Sequence, residues 1–268
     1  MVSKPIYNAH NLESAYQLRY DWTCWPSRES TFPPDFGHLI EQTKDVWEND
    51  GLRLLESNVS SQQTQLLFSV TPQVSAVFCT QRAKGRLQYA ARQAGSPIKF
   101  SRKLSLRTVG NAHSKEMLRY IERQALDSRY LDQGFRERLE DFVVVSPEVD
   151  LSLPTETRGG RYWYNLHLVL TTQQRYLITD SDQLGRIRDM SFKIADKKGY
   201  RIASLSAMPD HLHIALRGNI QHSPEEVALG FQNNLAYVLG QNAVWNYSYY
   251  VGSFSEYNME AIRRALRP

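Results

Sequence analysis

MPDHLHIAL, residues 208–216, and SQQTQLLFSV, residues 61–70, decide how this chain is read. The first carries His211-Leu212-His213, and at the matching place the second carries Gln63-Thr64-Gln65. Outward from this pair the match continues at a constant offset of 148 residues. Tyr16, Leu18 and Thr23 of AYQLRYDWT fall on Tyr164, Leu166 and Thr171 of WYNLHLVLT, and Gly51 falls on Gly199. Later the register drifts, and Val109-Gly110 meets Val251-Gly252 only after a six-residue change of the kind that loops absorb. One register held over about fifty residues reads as two copies of one domain, of which only the second kept its histidines.

Size and composition agree. The 268 residues suit two domains of ordinary size, and 41% hydrophobic with 22% charged residues exclude a disordered chain. Cys24 and Cys79 are the only cysteines and form no CxxC pair, which argues against a disulfide framework or a structural zinc site and fits a reducing cytoplasm. The N-terminal MVSKPIYNAHNLESAY lacks the apolar core of a signal peptide, and no apolar run reaches membrane-spanning length. A soluble, cytoplasmic protein with no membrane partner is expected.

The hydrophobic periodicity predicts the same order of elements twice. In the first copy, strands are expected at Ser14–Cys24, Leu52–Val59, Gln65–Thr71 and Leu104–Val109, helices at Asp35–Asn49 and Gln73–Arg92, and a further helix from Ser114. In the second, strands are expected at Arg161–Thr172, Arg201–Ala207, His211–Arg217 and Val244–Val251, with helices at Asp182–Lys197, Pro224–Leu239 and from Asn258 to the C-terminus. Strand, helix, strand, strand, helix, strand is the split arrangement of a ferredoxin-like α+β fold. The expected domains are residues 1–127 and 161–268. Between them, residues 128–160 hold a charged helical piece, DQGFRERLEDF, and a Pro- and Gly-containing linker, SPEVDLSLPTETRGG.

A net charge of +4 says little about partners, but its distribution says more. Arg82, Lys84, Arg86, Arg92, Lys99, Arg102, Lys103 and Arg107 lie in a stretch without Asp or Glu and interleave with Tyr89 and Phe100. Such a run can neutralise phosphates and stack on unpaired bases, or it can be a solvated helix face followed by a basic loop.

Alternation along a strand puts His211 and His213 on one face, where two imidazoles can grip one divalent cation, with Leu212 turned into the core. Taken alone, the pair also reads as two partly buried histidines satisfied by backbone or water. With MPD before it and IAL after it, the motif resembles the HUH motif of single-tyrosine transposases of bacterial insertion sequences, the IS200-like family with its REP-associated relatives. That resemblance implies a tyrosine nucleophile on a helix some fifty residues after the histidines, and a glutamine one turn further on as third metal ligand. In SKEMLRYIERQ, residues 114–124, Tyr120 and Gln124 match this pattern, Tyr120 lying 55 residues after Gln65. Tyr120 alone would read as an aromatic packed beside Met117 and Leu118. The second copy ends in NMEAIRRALRP, where Ala265 or Arg264 stands at the tyrosine position.

The two halves are therefore defective in complementary ways, and the resemblance implies one composite site in an intramolecular pseudo-dimer. Tyr120 is expected as nucleophile, with His211, His213 and Gln124 as ligands of Mg²⁺ or Mn²⁺, Zn²⁺ remaining open. The expected activity is metal-dependent nicking and rejoining of single-stranded DNA through a 5′-phosphotyrosine intermediate, by a transposase or a domesticated descendant. The expected partner is single-stranded DNA with hairpin-containing ends, bound at the nucleoid by a monomeric chain. The alternative is a hairpin-binding protein that no longer cuts, because Tyr120 and the histidines fail to meet. A two-histidine phosphoesterase would need His-x-Thr or His-x-Ser in both halves, and neither QTQ nor HLH supplies it.

Overall fold

The computed structural model describes residues 5–126, 133–240 and 243–257. The stretch expected as one strand at Ser14–Cys24 is divided at Leu18 into β1 (Glu13–Gln17) and β2 (Arg19–Pro26). There follow α1 (Phe36–Asn49), β3 (Leu52–Val59), β4 (Thr64–Val70), α2 (Ala76–Gln93), β5 (Phe100–Val109) and α3 (Ser114–Glu122). The intervening segment supplies α4 (Gln133–Leu139), β6 (Val143–Val145) and β7 (Thr155–Glu156). The second half is likewise divided, at Tyr164, into β8 (Gly160–Trp163) and β9 (Asn165–Thr171), and continues with α5 (Ser181–Lys198), β10 (Arg201–Met208), β11 (His211–Arg217), α6 (Pro224–Val238) and β12 (Ser248–Ser253).

The last strand begins later than the expected Val244, because residues 244–246 are bonded elsewhere. Val244 C=O accepts from Gln173 N–H, and Trp245 N–H donates to the buried Tyr7 hydroxyl at 2.8 Å. The helix expected from Asn258, with Ala265 and Arg264, lies outside the described residues.

Two six-stranded sheets result, one ordered β3-β4-β2-β5-β8-β7 and the other β6-β10-β11-β9-β12-β1. Four consecutive strands of each, β3-β4-β2-β5 and β10-β11-β9-β12, are antiparallel and follow the same order, that of a ferredoxin-like sheet. Each sheet then receives the entry strand of the other half in parallel, β1 beside β12 and β8 beside β5. The divisions at Leu18 and Tyr164 are the points where the chain crosses from one sheet to the other. The segment expected as a linker is part of this architecture too: β6 pairs with β10, β7 pairs with β8, and Leu151 is buried.

The halves match in detail. Pairing of β3 with β4 slips between Leu54 and Glu56, and pairing of β10 with β11 slips between Ile202 and Ser204, the same bulge at the 148-residue offset. Gly51 after α1 (φ +82°) and Gly199 after α5 (φ +71°) both take the left-handed conformation that ends a helix. Ser75 and Ser223 cap α2 and α6 by accepting a backbone N–H three residues on. Contacts between the halves are reciprocal. Val77 N–H donates to Ile220 C=O while Glu225 N–H donates to Pro72 C=O, and Arg19 N–H donates to Ser253 Oγ while Asn165 N–H donates to Thr108 Oγ1.

Strand pairing also corrects part of the sequence match. Val169 stands opposite His213 as Thr23 stands opposite Gln65, and Tyr164 C=O accepts from Gly218 as Leu18 C=O accepts from Val70. Leu18 therefore corresponds to Tyr164, not Leu166, and Thr23 to Val169, not Thr171. At the far end, the Phe254 amide bonds to Asn165 where Val109 pairs with Arg19, so Val109 corresponds to Phe254 rather than Val251. Leu, Thr and Val recur in strands often enough to align two or three residues out of register.

One continuous core runs through both halves, from Trp22, Trp47 and Phe68 to Leu168, Ile214 and Phe231. The rings of Tyr20 and Tyr164 meet edge to face across the junction at 5.9 Å, and burying aromatic side chains of this size makes the junction part of the core rather than a hinge.

Candidate active site

His211 and His213 project from β11 beside β9 and β10, while Leu212 between them is fully buried on the opposite face. The histidine face is covered by α3 from the first half. Ile121 is wholly buried there against Ala203, Ala215, Leu151 and Phe254, with Met117 and Leu118 packed at its sides. Small residues at 203 and 215 let the helix approach the sheet closely, and burial of Ile121 alone contributes about 1.5–3 kcal/mol to that seat. The start of α3 is fixed as well. Glu116 and His113 form a capping box, and Ser114 N–H donates to Ser255 C=O at the end of the second sheet.

This seat turns Tyr120 outward. It is 50% exposed, and its ring stands edge-on to His213 with centroids 5.3 Å apart. The packing role that the sequence offered for Tyr120 is taken by Met117, Leu118 and Ile121. Gln124 does not lie on the helix as expected: α3 ends at Glu122 with Arg123 as its cap, and Gln124 is in the following turn, its Nε2 donating to Tyr120 C=O at 3.1 Å. Its Oε1 lies 3.1 Å from Nε2 of His211. The four residues singled out as nucleophile and ligands thus come together, two from each half.

His211 Nδ1 meets Asp210 Oδ1 at 2.6 Å, and the other oxygen of Asp210 pairs with Arg175 at 2.9 Å. The His211 bond, with help from Arg175, holds the Asp210 carboxyl down at about 2. An ionised carboxylate only accepts, so the Nδ1 of His211 carries a proton. Nε2 of His211 and Oε1 of Gln124 then face each other at hydrogen-bond distance, across a gap that a proton or a cation can fill. Two ligands at right angles on a cation with bonds of about 2.1 Å lie about 3 Å apart, so the separation fits a shared metal. His213 is 6% exposed, and burial, reinforced by the neighbouring His167 and His211, pushes it well below the usual imidazole range. It is therefore neutral at pH 7, the form that ligates.

Sequence reading missed His167, Asp210 and Arg175. His167 is 5% exposed, and its Nε2 meets Nδ1 of His213 at 2.9 Å. The signal for it was the pairing of β9 with β11, which sets residue 167 on the histidine face; no local pattern displays it.

The basic run does not form one face. Arg86 makes a two-pronged bond to Asp50, Arg82 lies at 4.0 Å from the same carboxylate, and Lys84 donates to Ser101 C=O. Asp50 lies far outside the run in sequence, which is why the run looked uncompensated. Arg107 is half-buried with its guanidinium against Trp163 and Tyr257, at 4.2 and 4.7 Å from the ring centroids. Arg92, Lys99, Arg102 and Lys103 are exposed. Lys103 lines an open cavity of about 540 Å³ together with Trp25, Trp163, Arg158 and Arg161. Indole faces beside cations suit an unpaired base and its phosphate.

Among the described residues no group of three or more His, Cys, Asp or Glu side chains is arranged to hold a metal ion, and no helix is long and apolar enough to cross a membrane. Where His211, His213 and Gln124 meet, the side chains present are instead two imidazoles and a carboxamide.

Comparison with known proteins bears on the second half. Residues 161–266 match the family described as transposase IS200 like. The chain is also similar to a crystallised candidate transposase from Deinococcus radiodurans R1, with 23% identity and a TM-score of 0.35, over 41% of this chain and 94% of that one. No curated protein matches it.

Proposed function

We propose, from an IS200-like transposase domain at residues 161–266, that the chain nicks and rejoins single-stranded DNA at one site built by both halves. The observation that carries this reading is the meeting of Gln124 from the first half with His211 from the second, 3.1 Å apart, beside a half-exposed Tyr120 set edge-on to His213. Common strand order, the shared bulge and the reciprocal bonds between halves support descent of both from one domain, the first having lost its histidines.

In this reading the Tyr120 oxygen attacks the scissile phosphorus. A bond from phosphorus to Tyr120 forms as the bond to the 3′-oxygen breaks. The tyrosine proton passes to solvent, and the departing 3′-oxygen takes a proton from solvent and leaves as a 3′-hydroxyl. Attack by a 3′-hydroxyl on the 5′-phosphotyrosine reverses these changes and reseals the strand without an energy source. A divalent cation, Mg²⁺ or Mn²⁺, held by His211, His213 and Gln124 would polarise the phosphate and stabilise the charge that develops in transfer. Asp210 holds His211 with Nε2 toward the site. The exposed cations Arg92, Lys99, Arg102 and Lys103 and the cavity beside Trp25 and Trp163 supply phosphate and base contacts for an unpaired strand.

The test is covalent capture. A labelled single-stranded oligonucleotide carrying a hairpin should become bound to the denatured wild-type chain in the presence of Mn²⁺ and not to Tyr120→Phe, which keeps the ring and removes only the oxygen. An adduct that persists in Tyr120→Phe would overturn the assignment.

A further inference from the structure

We propose that His167 is a positioning residue for His213: it accepts the Nδ1 proton of His213 and so turns the bare Nε2 of that ring toward the site. The proposal rests on the reading that His211, His213 and Gln124 hold a divalent cation.

The geometry of the two rings carries it. His167 Nε2 and His213 Nδ1 are 2.9 Å apart, and the ring planes are within 9° of each other. Their centroids are 5.2 Å apart, close to the sum of the bond and the two ring radii, so the nitrogens meet head-on. Lone pairs aimed at each other along one line leave room for a proton and not for a shared cation, whose ligands must converge from different directions. His167 is therefore a partner of the ligand and not a further ligand. Tyr250 also packs its ring against His167, at 5.9 Å and 66°, and helps hold the imidazole in place.

His211 and His213 are thus oriented by the same device with different chemistry. In each, Nδ1 is taken up by a neighbour, the Asp210 carboxylate for one and the His167 ring for the other, which leaves Nε2 as the ring nitrogen that neighbour does not engage. Asp210 sits at a partly exposed turn with Arg175 beside it, where a charge is tolerated. Residue 167 is enclosed in the sheet, where an unpaired carboxylate would be expensive and a neutral acceptor is not. Partners of this kind fix the tautomer of a ligating histidine, and removing one weakens metal binding by about 10–100-fold.

Two readouts on the full chain test this. In the metal-free protein, nitrogen NMR of the histidine rings should find His213 protonated at Nδ1 and bare at Nε2; the opposite tautomer would overturn the proposal. Mn²⁺ titration should then show about 10–100-fold weaker binding in His167→Phe, which fills the space without an acceptor. His167→Gln, whose amide oxygen reaches the place of Nε2, should restore binding to within a few-fold of wild type. Cooperative thermal unfolding of both variants guards against collapse of the sheet. If Phe binds Mn²⁺ as well as wild type, or Gln as poorly as Phe with both folded, His167 has no positioning role. His211→Ala separates this from the underlying reading: Mn²⁺ binding that survives His211→Ala overturns the metal site itself, whereas binding lost there and unchanged in His167→Phe overturns only the present proposal.

Discussion

Strands β4 and β11 occupy the same place in sheets of the same order, yet the side chains at the shared positions behave in opposite ways. On β11, Nε2 of His211 faces Oε1 of Gln124 at 3.1 Å across a gap that a proton or a cation can fill. On β4, Gln65 donates from Nε2 to both oxygens of Asp21, at 3.1 and 2.9 Å, and the pair satisfies itself. Asp21 stands where the other half has His167, and Gln63, the counterpart of His211, is exposed. The difference teaches that the backbone fixes where a site can be, and that two or three side chains decide whether it is open to a ligand or closed upon itself. The closed version carries a cost. Asp21 is 7% exposed, and burial pushes its carboxyl up to about 6 against the opposing pull of Gln65 and Arg107.

The sharpest way to break this comparison is to remove the histidines and the glutamines in parallel. His213→Ala should lower metal-dependent cleavage by at least about 100-fold while leaving DNA binding intact, and Gln63→Ala and Gln65→Ala should change cleavage less than about 3-fold. Equal losses in both sets, measured by cutting of a labelled hairpin strand, would mean that the first half holds a working site. A second test asks whether the open site is made within one chain. Tyr120→Phe mixed with His211→Ala should remain inactive, since each chain lacks part of its own site; recovered cleavage would place the site between chains.

A smaller effect concerns stability. The folded protein holds the Asp21 proton more tightly than the unfolded chain does, so this group favours folding below about pH 4 and its contribution is lost as pH rises through about 6. Asp21→Asn should therefore be more stable than wild type at neutral pH by on the order of 1–3 kcal/mol. The gap should open between about pH 4 and 6 and stay flat above. Denaturant unfolding across that range checks it, and a variant less stable than wild type at pH 7 would show that Asp21 is needed as a charge. The smallest expected change is in salt dependence. Replacing Lys99, Arg102 and Lys103 by Gln should weaken single-strand binding and flatten its dependence on salt by about 0.7 per lost phosphate contact, whereas Arg86→Gln should leave the slope unaltered because Asp50 already occupies that side chain.

Much of this was legible in local sequence. β3 and β11 have the bounds that alternation predicts, and the offset linking Gln63 and Gln65 to His211 and His213 survives in the common bulge. The crossings at Leu18 and Tyr164 were not legible, because an extended chain looks the same whichever sheet its two ends join. His167 was hidden for a related reason: its significance depends on which strand lies beside it. The charge of the basic run was misjudged because Asp50 reaches it through space, and Gln124 left its helix because α3 ends at Glu122, two residues before it.

The exchange of β1 and β8 between the sheets has a consequence for the cell. A site shared by separate subunits exists only as often as those subunits meet, and it thins out as they are diluted. Here both contributors hang from one backbone that crosses between the sheets twice, so their local concentration is set by the tether at millimolar order or above and not by expression. If the proposed site is the working one, a single copy of the polypeptide holds Tyr120, Gln124, His211 and His213 together at any abundance.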